Sequence, residues 1–183
     1  EMSREQVAAR LLALAPPAEN KRTCSGTIYI DDNPALSVAD IHAKCCQLDN
    51  LGLVVIDYLQ LMTWNRSGEN RYQQAVEISR MLKIMSKELN VPVLCLSQLS
   101  RVVEEREDKR PVLSDLRGSG PFVPEADIVL FLYQGCYYHE KMKKSDMMEC
   151  IVAKNVYGES GTVELCRRPK GNRFLVSDNM CCW

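Results

Sequence analysis

The stretch Leu53-Val54-Val55-Ile56-Asp57 decides the fold class of this chain, because an uninterrupted apolar run rich in β-branched residues ends there in a carboxylate. Runs of this kind are typical of strands in parallel sheets, which are covered on both faces and do not alternate polar with apolar residues. We therefore predict a buried parallel strand over residues 53–56, with the acidic residue at its carboxyl end.

The same pattern occurs twice more, at residues 91–96 and at residues 128–133. Between the first two runs, residues 72–89 carry apolar side chains at the 3.6-residue period of a helix, namely Ile78, Met81, Leu82, Met85 and Leu89. Strand, helix and strand in this order, with short connections, indicate crossovers between parallel strands. The sequence therefore predicts an α/β fold with a mostly parallel sheet flanked by helices.

Both ends of the chain carry signals of local structure. Ser3 and Gln6 have the spacing of a capping box, which predicts a helix to about residue 14. A short strand is predicted at residues 27–30, and Ser37 is expected to cap a second helix. Turn residues separate three runs beyond residue 133, and we expect antiparallel strands at this C-terminal end, over residues 150–154, 161–166 and 174–176.

Composition is that of a compact single domain, with 46% hydrophobic and 26% charged residues. No apolar run approaches the roughly 20 residues that span a bilayer, and the polar start is not that of a signal peptide, so we expect a cytoplasmic protein without membrane contact. Basic residues gather near residues 141–144 and 167–173, but 23 basic and 24 acidic residues nearly cancel. Charge alone therefore does not predict nucleic-acid binding.

The nine cysteines predict neither a disulfide framework nor a zinc site. Their number is odd and no Cys-x-x-Cys pair occurs, which favours a reducing compartment. His42, Cys45 and Cys46 share one face of the second predicted helix and form the best metal candidate. We do not predict a metal there, because no second pair of ligands is present and Cys45 continues an apolar stripe.

Asp57 and Gln98 are the candidate site residues, since ligands of open α/β sheets bind beyond the carboxyl ends of the strands. The carboxylate has the form of a Walker B element, which holds Mg²⁺ through its waters, or else it caps the following turn. The amide suits the sensing of a terminal phosphate, or else it satisfies loop backbone. The glycine-rich loop ending in Gly-Lys-Ser/Thr that cradles a triphosphate does not occur in the sequence.

Several motifs in the correct order resemble the motor domain of DnaB-type replicative DNA helicases. They are Val55-Ile56-Asp57-Tyr58-Leu59-Gln60-Leu61-Met62, Glu77-Ile78-Ser79-Arg80, Lys87-Glu88-Leu89-Asn90-Val91-Pro92-Val93, Leu96-Ser97-Gln98-Leu99, and Lys109-Arg110-Pro111 with Ser114-Asp115-Leu116-Arg117. The likeness covers residues 1–178 and leaves residues 179–183 as an unmatched tail. It implies a RecA-like motor domain that begins just after the Walker A segment.

The resemblance implies an ATP hydrolase that uses Mg²⁺ and unwinds DNA at replication forks in the 5′ to 3′ direction as a homo-hexameric ring. Its further partners would be single-stranded DNA, primase and a helicase loader. Glu1 matches the family's general base toward the attacking water. Asp57 matches the residue that holds magnesium, and Gln98 the residue that reports the γ-phosphate to the DNA-binding loop. The fragment alone is expected to be inactive.

The DNA-binding loop of the family corresponds to Arg117, Gly118 and Gly120, which would grip the backbone of single-stranded DNA. Gly118 stands where an acidic residue is usual. Lys154 matches a family lysine that reaches into the ATP site of the next subunit. Val156 stands where the arginine finger is expected, and an isopropyl group cannot stabilise a transferring phosphoryl group. Either the motor is weakened, or another basic residue substitutes, for which the candidates are Arg167 and Arg168.

Two rival hypotheses remain. Val156 motivates the first, a hydrolysis-deficient RecA-fold protein of a mobile element that binds DNA or a helicase. The second is a recombinase of the same fold, which residues 57–62 and 114–117 disfavour because they look helicase-like.

Overall fold

The structure, a computed structural model, describes residues 2–14, 26–62, 71–119, 123–138, 147–168 and 173–176. Its helices are α1 (Arg4–Leu14), α2 (Val38–Cys45), α3 (Arg71–Leu89) and α4 (Gly135–Tyr138). Its strands are β1 (Val54–Ile56), β2 (Val93–Cys95), β3 (Ile128–Tyr133), β4 (Met147–Asn155), β5 (Gly161–Arg168) and β6 (Arg173–Val176). Three 3-10 helices, Leu59–Leu61, Arg101–Glu105 and Leu113–Ser119, were not predicted from the sequence.

The strands form two sheets. β1 and β2 pair in parallel, with Val55 opposite Leu94, and α3 connects them along the chain. β3, β4, β5 and β6 form an antiparallel sheet in that order. The predicted α/β class, with antiparallel strands at the C-terminal end, is therefore confirmed, and the parallel part that the structure describes comprises two strands.

The first hydrophobic core lies between the parallel sheet and the helices α2 and α3. Met85 of α3 is 2% exposed, and Ile78 and Leu82 of the same helix are also buried, as the predicted helical period requires. They pack with Val54 and Ile56 of β1. Burial of these side chains fixes the position of both strands against α3.

A second core holds the 3-10 helix Leu113–Ser119 against the antiparallel sheet. Leu116 of this helix is 7% exposed and packs with Val129 and Phe131 of β3. The two cores are joined by an ion pair between Lys83 of α3 and Asp127, which precedes β3.

The expectation that the strands are covered on both faces is wrong for the described part of the chain. Val54 and Ile56 are buried, but Val55 between them is 56% exposed, and its partner Leu94 is 48% exposed. β3 alternates in the same way between buried and exposed residues. The helices α2 and α3 pack on one face of the parallel pair, and the opposite face stays open among the residues that the structure describes.

The capping box predicted at Ser3 and the cap predicted at Ser37 are both present. The Ser3 hydroxyl accepts from the Gln6 backbone N–H at 3.4 Å, and the Gln6 side chain accepts from the Ser3 backbone N–H at 3.0 Å. Ser37 makes the equivalent reciprocal pair with Asp40. The predicted strand at residues 27–30 is wrong, because this segment joins no sheet in the described part of the chain. None of the described helices has the length and apolar character needed to cross a membrane.

Candidate active site at the carboxyl ends of the parallel strands

Asp57 and Gln98 leave the parallel sheet at the same edge, as expected. Ile56 pairs with Cys95, so Asp57 follows β1 directly and Gln98 lies three residues beyond the end of β2. The pairing continues past the strands, because the Leu96 backbone N–H donates to the Ile56 carbonyl at 2.9 Å. The peptide bond between Asp57 and Tyr58 is cis. Both candidate side chains are exposed.

The Asp57 carboxylate makes no hydrogen bond or ion pair with another described residue. It therefore does not cap the following turn, which was one of the two interpretations of this residue. No group of three or more histidine, cysteine or acidic side chains is placed to hold a metal within the described ranges. Mg²⁺ fits a single carboxylate at this edge, since it keeps several waters and takes its other ligands from substrate phosphates.

Gln60 is a site residue that was not predicted from the sequence. Its Nε2 donates to the Ser97 hydroxyl at 3.0 Å and to the Gln98 carbonyl at 3.3 Å, and its Oε1 accepts from the Gln98 backbone N–H at 3.4 Å. One side-chain amide therefore joins the two loops that follow β1 and β2. Its signal in the sequence was a single polar residue in the otherwise apolar stretch after Tyr58.

The predicted DNA-binding residues lie at or beyond the end of the 3-10 helix Leu113–Ser119. The backbone of Arg117 and Gly118 belongs to this helix, while Gly120 is outside the described residues. Leu116 anchors the helix in the second core. The general base Glu1, predicted from the resemblance, is also outside the described residues.

Lys154 lies on β4, and its ammonium group makes two hydrogen bonds within the chain. It donates to the carbonyl of Val123 at 2.9 Å and to that of Pro124 at 3.1 Å. Val156, two residues later, is 61% exposed, and its backbone N–H donates to the Asp127 carbonyl at 3.0 Å. The lysine therefore holds the turn that enters β3, and the valine stands at the surface beside it.

Arg167, one of the two candidates to substitute for the arginine finger, lies far along β5 from Val156. The register of β4 and β5 places Cys166 opposite Met147, so Arg167 lies at the far end of the hairpin. Gly161, near the turn, is six residues away along the strand, which corresponds to roughly 20 Å. Arg168 follows Arg167 on the same strand, still farther from Val156, and its side chain is outside the described residues. The antiparallel pairing therefore separates both arginines from the lysine end of β4.

Cys45 and Cys95 belong to the packing of the first hydrophobic core. Burial raises the pKa of the Cys95 thiol in β2 to about 11, so it stays protonated at neutral pH. Cys45, of the metal candidate considered above, lies in the first core, where burial also raises its pKa. His42 instead lies 3.4 Å from the Glu88 carboxylate of α3 and 3.7 Å from the sulfur of Cys46.

Comparison with known proteins places these features in one family. Residues 17–175 match the family of the DnaB-like helicase C-terminal domain. The replicative DNA helicase DnaB of Geobacillus stearothermophilus is 51% identical over 152 residues, which cover 81% of this chain and 34% of that protein. DnaB of Leifsonia xyli is 38% identical over 95% of this chain and 43% of its own length. The chain thus spans between a third and a half of these relatives.

Solved structures agree with the sequence comparison. One of them, an ATPase domain, superposes with a TM-score of 0.84 at 37% identity, covering 96% of this chain and 71% of that one. A DnaB-like replicative helicase, whose structure was solved together with its interactions with primase, gives a TM-score of 0.83 at 36% identity and covers 96% of this chain and 49% of that one.

Proposed function

Because the chain belongs to the family of DnaB-like helicase C-terminal domains, with the RecA-like fold of their ATPase domains, we propose that it is the greater part of the ATP-driven motor of a replicative DNA helicase. The intact protein then hydrolyses ATP with Mg²⁺ and unwinds duplex DNA at replication forks in the 5′ to 3′ direction. The observation that carries this proposal is the shared sheet edge of Asp57 and Gln98, joined by the Gln60 amide.

Each residue at this edge has a chemical task in the proposal. The exposed carboxylate of Asp57 holds Mg²⁺ through water, and the bound ion neutralises phosphate charge. The amide of Gln98 donates to a terminal phosphate oxygen and accepts from the attacking water. Glu1 takes the proton of that water as general base. Gln60 keeps the backbone of Gln98 in place relative to the loop that follows Asp57.

The proposed DNA contacts follow from the 3-10 helix Leu113–Ser119. Arg117 pairs with a phosphate of single-stranded DNA, and the small residues Gly118 and Gly120 let backbone N–H groups approach it. In a homo-hexameric ring, Lys154 exchanges its bonds to the Val123 and Pro124 carbonyls for the ATP site of the neighbouring subunit. Primase and a helicase loader are the proposed further partners of the intact cytoplasmic protein.

The direct test uses the full-length protein that carries this sequence. Strand separation of a forked duplex is measured with saturating ATP and Mg²⁺, and Asp57→Asn is compared with Asp49→Asn. Asp49 is a matched control because it is an exposed aspartate on the turn after α2. We expect the first substitution to abolish unwinding and the second to leave it unchanged. A wild-type protein that hydrolyses no ATP and separates no strands would refute the proposal.

Val156 favours a second candidate function, a protein of this fold that binds DNA or a helicase with little hydrolysis. The residue is exposed at the expected position of the arginine finger, and Arg167 lies at the far end of the hairpin. Loss of the finger costs roughly 10³ to 10⁵ in rate in related enzymes. Tight, ATP-independent binding of single-stranded DNA by the full-length protein, without unwinding, would select this function over the first.

A further inference from the structure

Asp115 is a buried residue that accepts hydrogen bonds from three others, two at its carboxylate and one at its backbone carbonyl. It is 5% exposed and accepts from the Arg106 guanidinium at 2.7 Å and from the Val112 backbone N–H at 2.8 Å. Its own carbonyl accepts from the Ser100 backbone N–H at 3.1 Å. A buried charge persists only where it is paired and hydrogen-bonded, so this geometry is strongly specified.

These hydrogen bonds join two segments with different proposed tasks. Ser100 lies two residues after Gln98, the proposed phosphate sensor, and Asp115 lies two residues before Arg117, the proposed DNA contact. Their backbone hydrogen bond therefore links the end of the sensor segment directly to the start of the DNA-contacting helix, across 15 positions of the chain.

Arg106 braces the segment between them. Besides the Asp115 carboxylate, its guanidinium binds the Arg110 carbonyl at 2.9 Å. Arg110 in turn makes a two-pronged contact with Glu149 of β4, at 2.8 and 2.7 Å, and lies 5.1 Å from the centre of the Tyr133 ring. Bidentate pairs of this kind fix orientation as well as distance. The pair of Asp115 and Arg106 is therefore connected, through Arg110, to the antiparallel sheet.

Both ends of the linked segment are also held. Gln60 binds the backbone of Gln98 at one end, and Leu116 is buried against Val129 and Phe131 at the other. A displacement of Gln98 then has a short path to Arg117 through the Ser100–Asp115 bond, because packed segments transmit strain.

We propose that Asp115, paired with Arg106, is a positioning residue that couples the Gln98 end of β2 to the DNA-contacting 3-10 helix. This inference rests on the proposed function and adds to it the part that relays DNA binding to ATP hydrolysis. Asp115 itself touches neither nucleotide nor DNA in this arrangement. Its loss should therefore uncouple the two activities rather than remove either one.

The test measures ATP hydrolysis by the full-length protein with and without single-stranded DNA, for wild type, Asp115→Asn, Arg106→Lys and the control Asp49→Asn, at an exposed position after α2. Asparagine keeps the shape and one acceptor but removes the charge, and lysine keeps the charge but loses the planar fork. We expect Asp115→Asn and Arg106→Lys to reduce the stimulation of ATP hydrolysis by DNA at least about fivefold. The basal rate, the KM for ATP and the DNA affinity should stay within about twofold of wild type. The control should keep full stimulation.

Each other result counts against a specific claim. If wild type hydrolyses no ATP, the proposed function fails. If wild type is stimulated by DNA and both brace variants are stimulated equally, or if basal and stimulated rates fall in the same proportion, the coupling role of Asp115 is wrong. Should thermal melting show that Asp115→Asn does not fold, the milder Arg106→Lys decides by the same ratio of rates.

Discussion

The side chain of Gln60 binds the main chain of Gln98 on both sides, accepting from its N–H at 3.4 Å and donating to its carbonyl at 3.3 Å. The two residues are 38 positions apart and stand on the loops after neighbouring parallel strands. The amide thus acts as a clip across the sheet edge, and it fixes where the Gln98 side chain begins. The proposed sensing of phosphate by Gln98 depends on this placement, since misplacing a reacting group by about 1 Å can lower the rate by a factor of 10².

Gln60→Ala in the full-length protein should lower kcat for ATP hydrolysis about tenfold and change the KM for ATP by less than about twofold, because it displaces Gln98 without touching the proposed metal ligand. Steady-state kinetics check this, with Gln47→Ala as the control for removing an exposed glutamine. An unchanged kcat for Gln60→Ala would mean that the clip has no part in hydrolysis.

Lys154→Met keeps the aliphatic stem of the side chain and removes the ammonium group that binds the Val123 and Pro124 carbonyls. We expect a loss of about 1 kcal/mol in the free energy of unfolding, the usual net value of such hydrogen bonds. Hydrolysis by the full-length protein should fall at least about tenfold, because the proposed ring uses this charge at the neighbouring ATP site. Urea denaturation and ATPase assays provide the two measurements.

Lys154→Arg is the matched control for this charge. It should retain more hydrolysis than Lys154→Met. If Lys154→Met is less stable but hydrolyses ATP at the full rate, the role of the lysine is only to stabilise the turn before β3.

Val156→Arg should raise the rate of ATP hydrolysis by the full-length protein at least about tenfold, because it adds a positive charge where the resemblance predicts the arginine finger. The position is 61% exposed, so the longer side chain displaces no core residue. Val156→Gln, which is long and polar but uncharged, should not raise the rate. Equal rates for wild type and Val156→Arg would contradict the view that the missing arginine limits hydrolysis.

The capping box of α2 should make the stability of this region depend on pH. Hydrogen bonds from the Ser37 hydroxyl and backbone N–H lower the pKa of Asp40 in the folded state. A carboxyl group with a lowered folded pKa stabilises the fold above its unfolded pKa of about 3.9, and this contribution is lost as the pH falls through the folded value. Wild type should therefore be more stable than Asp40→Asn at pH 7.

The difference between these two proteins should shrink as the pH is lowered from about 5 to about 3 in urea denaturation. Asp49→Asn, at an exposed position after the same helix, should give a smaller difference from wild type at pH 7. A gap between wild type and Asp40→Asn that stays constant with pH would contradict the role of the Asp40 charge.

The local elements were predictable because their signals are contained in short stretches. The apolar period of residues 72–89 predicted α3 to within one residue, and the run 128–133 coincides with β3. The segment 27–30 has strand-like composition, yet pairing requires a partner strand, and none is present in the described part of the chain. The predicted burial of both strand faces was wrong for a similar reason. Val55 and Leu94 are apolar, but no described element packs on the face that carries them.

The sequence by itself determined the helices α1 to α3, the six strands in their order, the caps, and the family to which the chain belongs, because periodicity and motif order are properties of neighbouring residues. Only the tertiary structure decided that Gln60 binds the backbone of Gln98, that Asp115 is buried beside Arg106, and that Lys154 donates hydrogen bonds to two carbonyls. These contacts join residues 9 to 38 positions apart. They depend on strand register and on core packing, which no short stretch of sequence encodes.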